Sequence, residues 1–187
     1  MSDLAQAFID QSRRFLLKEY LRKIERCVDE LSEENLWWRP NEASNSVGNL
    51  LLHLAGNVGQ WVTHGIGGAP DVRQRQQEFD TRTPLPAPVL LARLREALEE
   101  ADRGLADLDP ADLSQHRRIQ GIDVTVFEAI YHVVEHFSTH VGQIIYVTKL
   151  RTGRNLRFYE MNADGTIRRG WLSEPMAGTP SLSEHND

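Results

Sequence analysis

The histidines at positions 132, 136 and 140 stand four residues apart in "YHVVEHFSTHVGQI", a segment otherwise composed for a protein core. Residues at i and i+4 are neighbours on a helix surface, so the three imidazoles share one strip. The chemistry open to such a strip is ligation, because neutral imidazole nitrogen binds divalent transition metals. At ~100° per residue, Val126, Ile130, Val134, Phe137, Val141 and Ile144 share an apolar arc that also takes in Phe127 and Ile145. His136 and His140 lie on its shoulder beside Ala129 and Val133, and His132 lies ~40° further towards water. A charged imidazole at a core edge is expensive, and a neutral one needs partners. A metal answers both demands, but a lone pair at this spacing is more often coincidental or hydrogen-bonded than metal-binding. The HEXXH protease motif is excluded, because Phe137 stands where its glutamate would.

A third imidazole changes the balance. In "SVGNLLLHLAGNVGQWV", Leu50, Leu54, Val58 and Trp61 form an apolar face with His53 at its margin and Asn57 one turn on. One ligand from this helix and two from another, meeting inside a bundle, is a common way to build a metal site. His64 shares the face of His53 but is three turns away, too far for the same ion. His116 falls in a connection and His185 near the C-terminus, and both read as solvated. Asn57 and Gln143 point roughly towards the metal side, where they would orient ligands or substrate; as surface amides they would need no such role. Trp37, Trp38 and Trp61 are pocket walls or ordinary core, and Arg117 and Arg118 read as loop charges. Cys27, the only cysteine, sits in an amphipathic segment and reads as a small hydrophobe. No general base can be named, so the catalytic residues stay open.

Four long amphipathic segments must position these groups. The first runs from Ser2 to Leu31, and "SEENLWWRPNEASNS" breaks it. The second begins after Asn45 or Ser46, either of which can cap it, and ends at "GIGGAP". Gly56 and Gly59 weaken this helix, which implies a closely packed neighbour. Residues 71–88 read as a polar connection, long enough to cross the length of a bundle. "PVLLARLREALEEADRGLADL" is the third helix, "SQHRRIQGIDVT" a second connection, and Val124 to Leu150 the fourth helix. The predicted fold is all-α: a four-helix bundle over residues 1–152 and a partly irregular C-terminal extension over 153–187. Within the extension, Asn162 to Gly165 suits a turn, and the last dozen residues read as loose.

A chain of 187 residues with net charge −6 and no Lys/Arg stripe argues against a nucleic-acid binder. No apolar run reaches the ~20 residues that span a bilayer, and the N-terminus lacks a signal-peptide pattern, so a cytoplasmic location is expected.

The two quoted stretches together resemble the DinB-like superfamily, bacterial four-helix proteins related to DNA-damage-inducible proteins and small-thiol-dependent S-transferases. The resemblance covers roughly residues 3–150. It implies an up-down-down-up bundle with a long link between helices two and three, often as a homodimer. It also implies one divalent metal, zinc or nickel, held by three histidines, which fall on His53, His136 and His140. His132 matches no ligand of the pattern and is a candidate to support the ligands from outside or to replace one, and Val141 stands where relatives often carry a basic residue. For some relatives the chemistry is transfer of a low-molecular-weight thiol to an electrophilic small molecule. A metal-dependent hydrolase on the same site is the chemical rival. A non-catalytic metal-binding or stress-response bundle is the third reading, with no membrane or nucleic-acid partner in any of them.

Overall fold

The computed structural model describes residues 2–170. The first bundle helix comprises α1 (Ser2–Arg14) and α2 (Leu21–Asp29), joined without a break by a π-helical turn at Phe15–Tyr20. A short α3 (Glu33–Trp37), capped by Ser32, occupies the break that follows. The second bundle helix is α4 (Val47–Val58), continued by a π-helical stretch at Gly59–Ile66. After α5 (Arg75–Asp80) comes the third, α6 (Ala87–Ala106), and the fourth is α7 (Val126–Thr152).

Side-chain pairs fix the helix directions. Arg13 bonds Asp102 and Arg95 bonds Glu25, so the first and third helices are antiparallel. Phe8 packs on Phe127 and Tyr20 on Phe137, so the first and fourth run together. His53 meets His136 while Trp61 meets His132, so the second and fourth oppose. The order is therefore up-down-down-up. Two successive parallel helices demand a crossover, and residues 67–86 supply it.

The sequence explains where the elements begin. Ser46 Oγ accepts a bond from the Asn49 backbone amide, and the Asn49 side-chain oxygen accepts one from the Ser46 backbone N–H, closing a capping box. Thr125 and Glu128 do the same for α7, so this helix begins at Val126 rather than Val124. Its buried residues include Ala129, Val133, Phe137, Val141 and Ile144, whereas Phe127 is exposed. The buried arc is thus rotated from the predicted one towards the histidine strip.

Two predicted connections contain structure. The crossover holds α5, and the second connection folds into a hairpin of β1 (His116–Ile119) and β2 (Ile122–Thr125). Its tip places Gln120 at φ 52° and Gly121 at φ 80°, the left-handed pair of a tight two-residue turn. Strands this short carry too few residues for a periodic signal. Exposed Leu4 and Phe127 also leave apolar surface that the helical patterns had assigned to bundle packing.

The chain divides into two compact units, Met1–Arg154 and Asn155–Asp187. In the second, β3 (Tyr159–Met161) pairs with β4 (Ile167–Arg169) around the predicted turn at Asn162–Gly165, so residues 155–170 are more regular than expected. The stretch read as loose, with His185, lies outside the described residues. Among the described residues no helix is long and apolar enough to cross a membrane.

Candidate metal centre

The centre is assembled from the edge of α4, the inner strip of α7 and the crossover. Its foundation is Asn49, fully buried in the first turn of α4. Its side-chain amide donates to the carbonyls of Glu78 at 2.8 Å and Thr81 at 3.1 Å. Arg39 donates to the Asn49 oxygen and to the carbonyl of Phe79. These bonds satisfy the end of α5, whose last carbonyls have no helical partners.

So anchored, α5 presents Glu78 to His53. Arg73 grips the carboxylate at both oxygens, Nε to Oε1 and Nη2 to Oε2, each at 2.7 Å. The side chains of this pair are 4% and 11% exposed. They fit against α4 because residue 56 is glycine: a Cβ there would lie 2.1 Å from Glu78 Oε1 and 2.8 Å from Arg73 Nε. The close neighbour expected from Gly56 is this ion pair. At Gly59 a Cβ would meet nothing, and that expectation fails.

Glu78 Oε2 lies 2.9 Å from His53 Nδ1, and Arg73 Nη2 lies 3.1 Å from the same nitrogen. A lone pair on Nδ1 would face the carboxylate at close range, which favours the tautomer with the proton on Nδ1, donated to Glu78. That leaves the Nε2 lone pair directed away, and 2.9 Å beyond it stands His136 Nε2. His140 completes the group: one nitrogen from each imidazole lies within 4.8 Å of the others. Gln143 Oε1, 2.8 Å from His140 Nδ1, holds that proton in the same way. His53 and His140 thus have their outer nitrogens engaged, and His53 presents its inner nitrogen to His136.

The electrostatics favour neutral imidazoles. Burial, with the neighbouring His140, His53, His132 and Arg73 charges, pushes the His136 pKa down to about 3. Burial also lowers that of His140, against the Gln143 hydrogen bond. For Glu78, burial opposes ionisation, and the bonds from Arg73 and His53 outweigh it, so the carboxyl stays below its usual range. The site offers three imidazole donors, with His136 and His140 held neutral by burial, backed by one fixed carboxylate, and this donor set suits a divalent transition metal.

The other candidates separate by position. His132 stacks on Trp61 at 4.0 Å between ring centroids and on His136 at 5.4 Å, outside the three-nitrogen group. Asn57, one turn after His53, is 3% exposed, and its Oδ1 is buried without a partner. His64 and His116 are not brought to the site, and His116 faces Asp123 on the hairpin. Among the described residues, Trp61 is the only tryptophan beside the histidine strip; Trp37 bonds the Leu85 carbonyl and Trp38 lies under Arg151. Arg117 bonds to Gln115 and the backbone of its own hairpin. Cys27 is buried, and burial raises its thiol pKa to about 11, as suits an inert hydrophobe.

Glu78, Arg73 and Phe79, whose ring lies 4.6 Å from that of His53, were absent from the sequence reading. They fall in a polar stretch without periodicity, where a charge reads as solvated. The one signal was indirect: Gly56 reported that something packs there.

A family profile described as a protein of unknown function, DUF1572, matches residues 3–163. No curated protein matches the sequence. Among solved structures, the fold is similar to that of a conserved protein from Enterococcus faecalis, with 14% identity and a TM-score of 0.63. The match covers 82% of this chain and 98% of that one.

Proposed function

We propose that this chain, which belongs to the DUF1572 family, is a divalent-metal-dependent enzyme of the DinB-like type that transfers a small thiol to an electrophilic small molecule. The observation that carries the metal is the approach of the His53 and His136 Nε2 atoms to 2.9 Å, with the far nitrogen of His53 against the Glu78 carboxylate. Two nitrogens on one tetrahedral zinc, each at about 2.0–2.1 Å, stand about 3.3 Å apart. Little movement would therefore seat an ion between them. His53, His136 and His140 would hold it; imidazole donors suit zinc and nickel among the transition metals, and the DinB-like resemblance implies these two.

A metal there supplies Lewis-acid activation of a thiol or of water. The residues of the chain do the rest. Glu78 and Gln143 fix the ligand tautomers, and His132 and Trp61 form the wall next to His136. Asn57 contributes a buried carbonyl oxygen, still unpartnered, available to a bound molecule. Three protein ligands leave coordination positions for substrate, which supports an enzyme over a closed structural site. The thiol rests on the DinB-like resemblance, and hydrolysis shares every other part of the site.

The test is a screen of the metal-loaded protein with small thiols and a chromogenic aryl halide, beside His53→Ala. Thiol-dependent product that disappears in the variant supports the transferase. Ester cleavage without thiol, lost in the same variant, would replace it with the hydrolase. Inactivity of a fully loaded protein in both assays would favour the non-catalytic bundle.

A further inference from the structure

The one apolar residue of α5 is Phe79, half-buried with its ring 4.6 Å from that of His53, so little apolar packing holds this helix on the bundle. A 380 Å³ cleft lies between the crossover and the outer face of α4, lined among others by Leu52, Gly59, Gln74, Gln77 and Thr81. The attachments across it are polar. Asn49 holds the carbonyls at the end of α5. Gln60 donates to Asp71 at 2.6 Å and accepts from Arg73 at 2.8 Å. Between these two anchors, the Arg73–Glu78 pair ends on His53.

We propose that residues 71–81 form a metal-locked strap, fixed on α4 when His53 is ligated and loosened when it is not. The proposal rests on the three-histidine reading of the site. A ligated imidazole loses electron density, so its Nδ1–H becomes a stronger donor to the Glu78 carboxylate. Glu78 belongs to α5 and grips Arg73, so strengthening this one bond tightens the middle of a segment whose apolar packing is limited to Phe79. Linkage makes the effect reciprocal: whatever holds the strap down raises metal affinity by the same factor. Gly56 is the seat of the strap, since any side chain there displaces the Glu78 carboxylate.

The experiment is hydrogen exchange on the full chain with and without saturating zinc, with bound zinc measured on the same samples. It compares the wild type with Gly56→Ala and Glu78→Gln. Zinc is expected to slow exchange of the amides of residues 75–81 by roughly 5- to 150-fold in the wild type, the ordinary range of coupling between sites. Exchange in α6 should stay unchanged. In both variants the zinc-dependent protection should vanish and zinc affinity should fall. Alanine is the better helix former, so loosening in Gly56→Ala would not reflect a weakened α4. One zinc per chain with unchanged exchange at 75–81 overturns the strap and leaves the metal site standing. Failure to bind zinc overturns both.

Discussion

Glu78 Oε2 and His53 Nδ1 are 2.9 Å apart, and this contact joins the crossover to the group of three imidazoles. It sets the tautomer of His53 and so decides which nitrogen faces His136. A carboxylate behind a ligating histidine raises ligand basicity as well as holding the ring.

Glu78→Gln keeps the shape and removes the charge. Metal affinity should fall roughly 10- to 100-fold, the usual cost of losing such a partner. Competition with a chelator of known affinity measures it. An unchanged affinity would mean that Glu78 serves only the Arg73 pair.

His132 and His140 lie on the same strip of α7 but only His140 joins the three-nitrogen group. His132→Ala should retain one metal per chain, and His140→Ala should lose most of it. Elemental analysis after desalting separates the two. Loss of metal in His132→Ala would move that residue into the coordination sphere.

The pH response follows from burial. The His136 pKa is about 3 in the fold and near its ordinary value of 6.5 when unfolded, so below about 6.5 the unfolded chain binds the extra proton. Stability of the metal-free protein should be fully present above that pH and decline as pH falls towards 3. The shifts of His132 and His140 have the same sign. Thermal unfolding across this range should show a shallower decline in His136→Gln than in the wild type. Equal slopes would contradict the assignment.

Thr125 begins the helix that carries two of the three imidazoles, and its hydroxyl accepts the Glu128 amide at 3.2 Å. Thr125→Ala should cost about 0.5–2 kcal/mol of stability with the fold retained. Denaturant unfolding reports the midpoint. No change would mean that Glu128 alone caps the helix.

Much of the bundle was legible because it obeys one rule. Apolar residues recur at helical spacing in all four long segments, and Ser46 marks the start of the second. The histidines of α7 stood out for the same reason, being polar residues in register on an apolar helix. The crossover pair Arg73 and Glu78 had no such background. Their burial comes from a glycine some seventeen residues away in sequence from Arg73, and periodicity carries no information about contacts of that kind. The hairpin at residues 116–125 escaped through brevity, although its Gln120-Gly121 tip has the composition of a tight turn. The rotation of the buried arc of α7 escaped because hydrophobicity alone does not reveal which apolar residues, such as Phe127, the bundle leaves outside.

The most direct measurement is metal content of protein purified without chelator or histidine tag, with His53→Ala and His136→Ala beside the wild type. The account predicts about one zinc or nickel per wild-type chain and little in either variant, as expected for a site with three protein ligands. A wild-type chain that holds no metal after loading with zinc or nickel and desalting would contradict it. His53 and His136 would then be a buried hydrogen-bonded pair and nothing more.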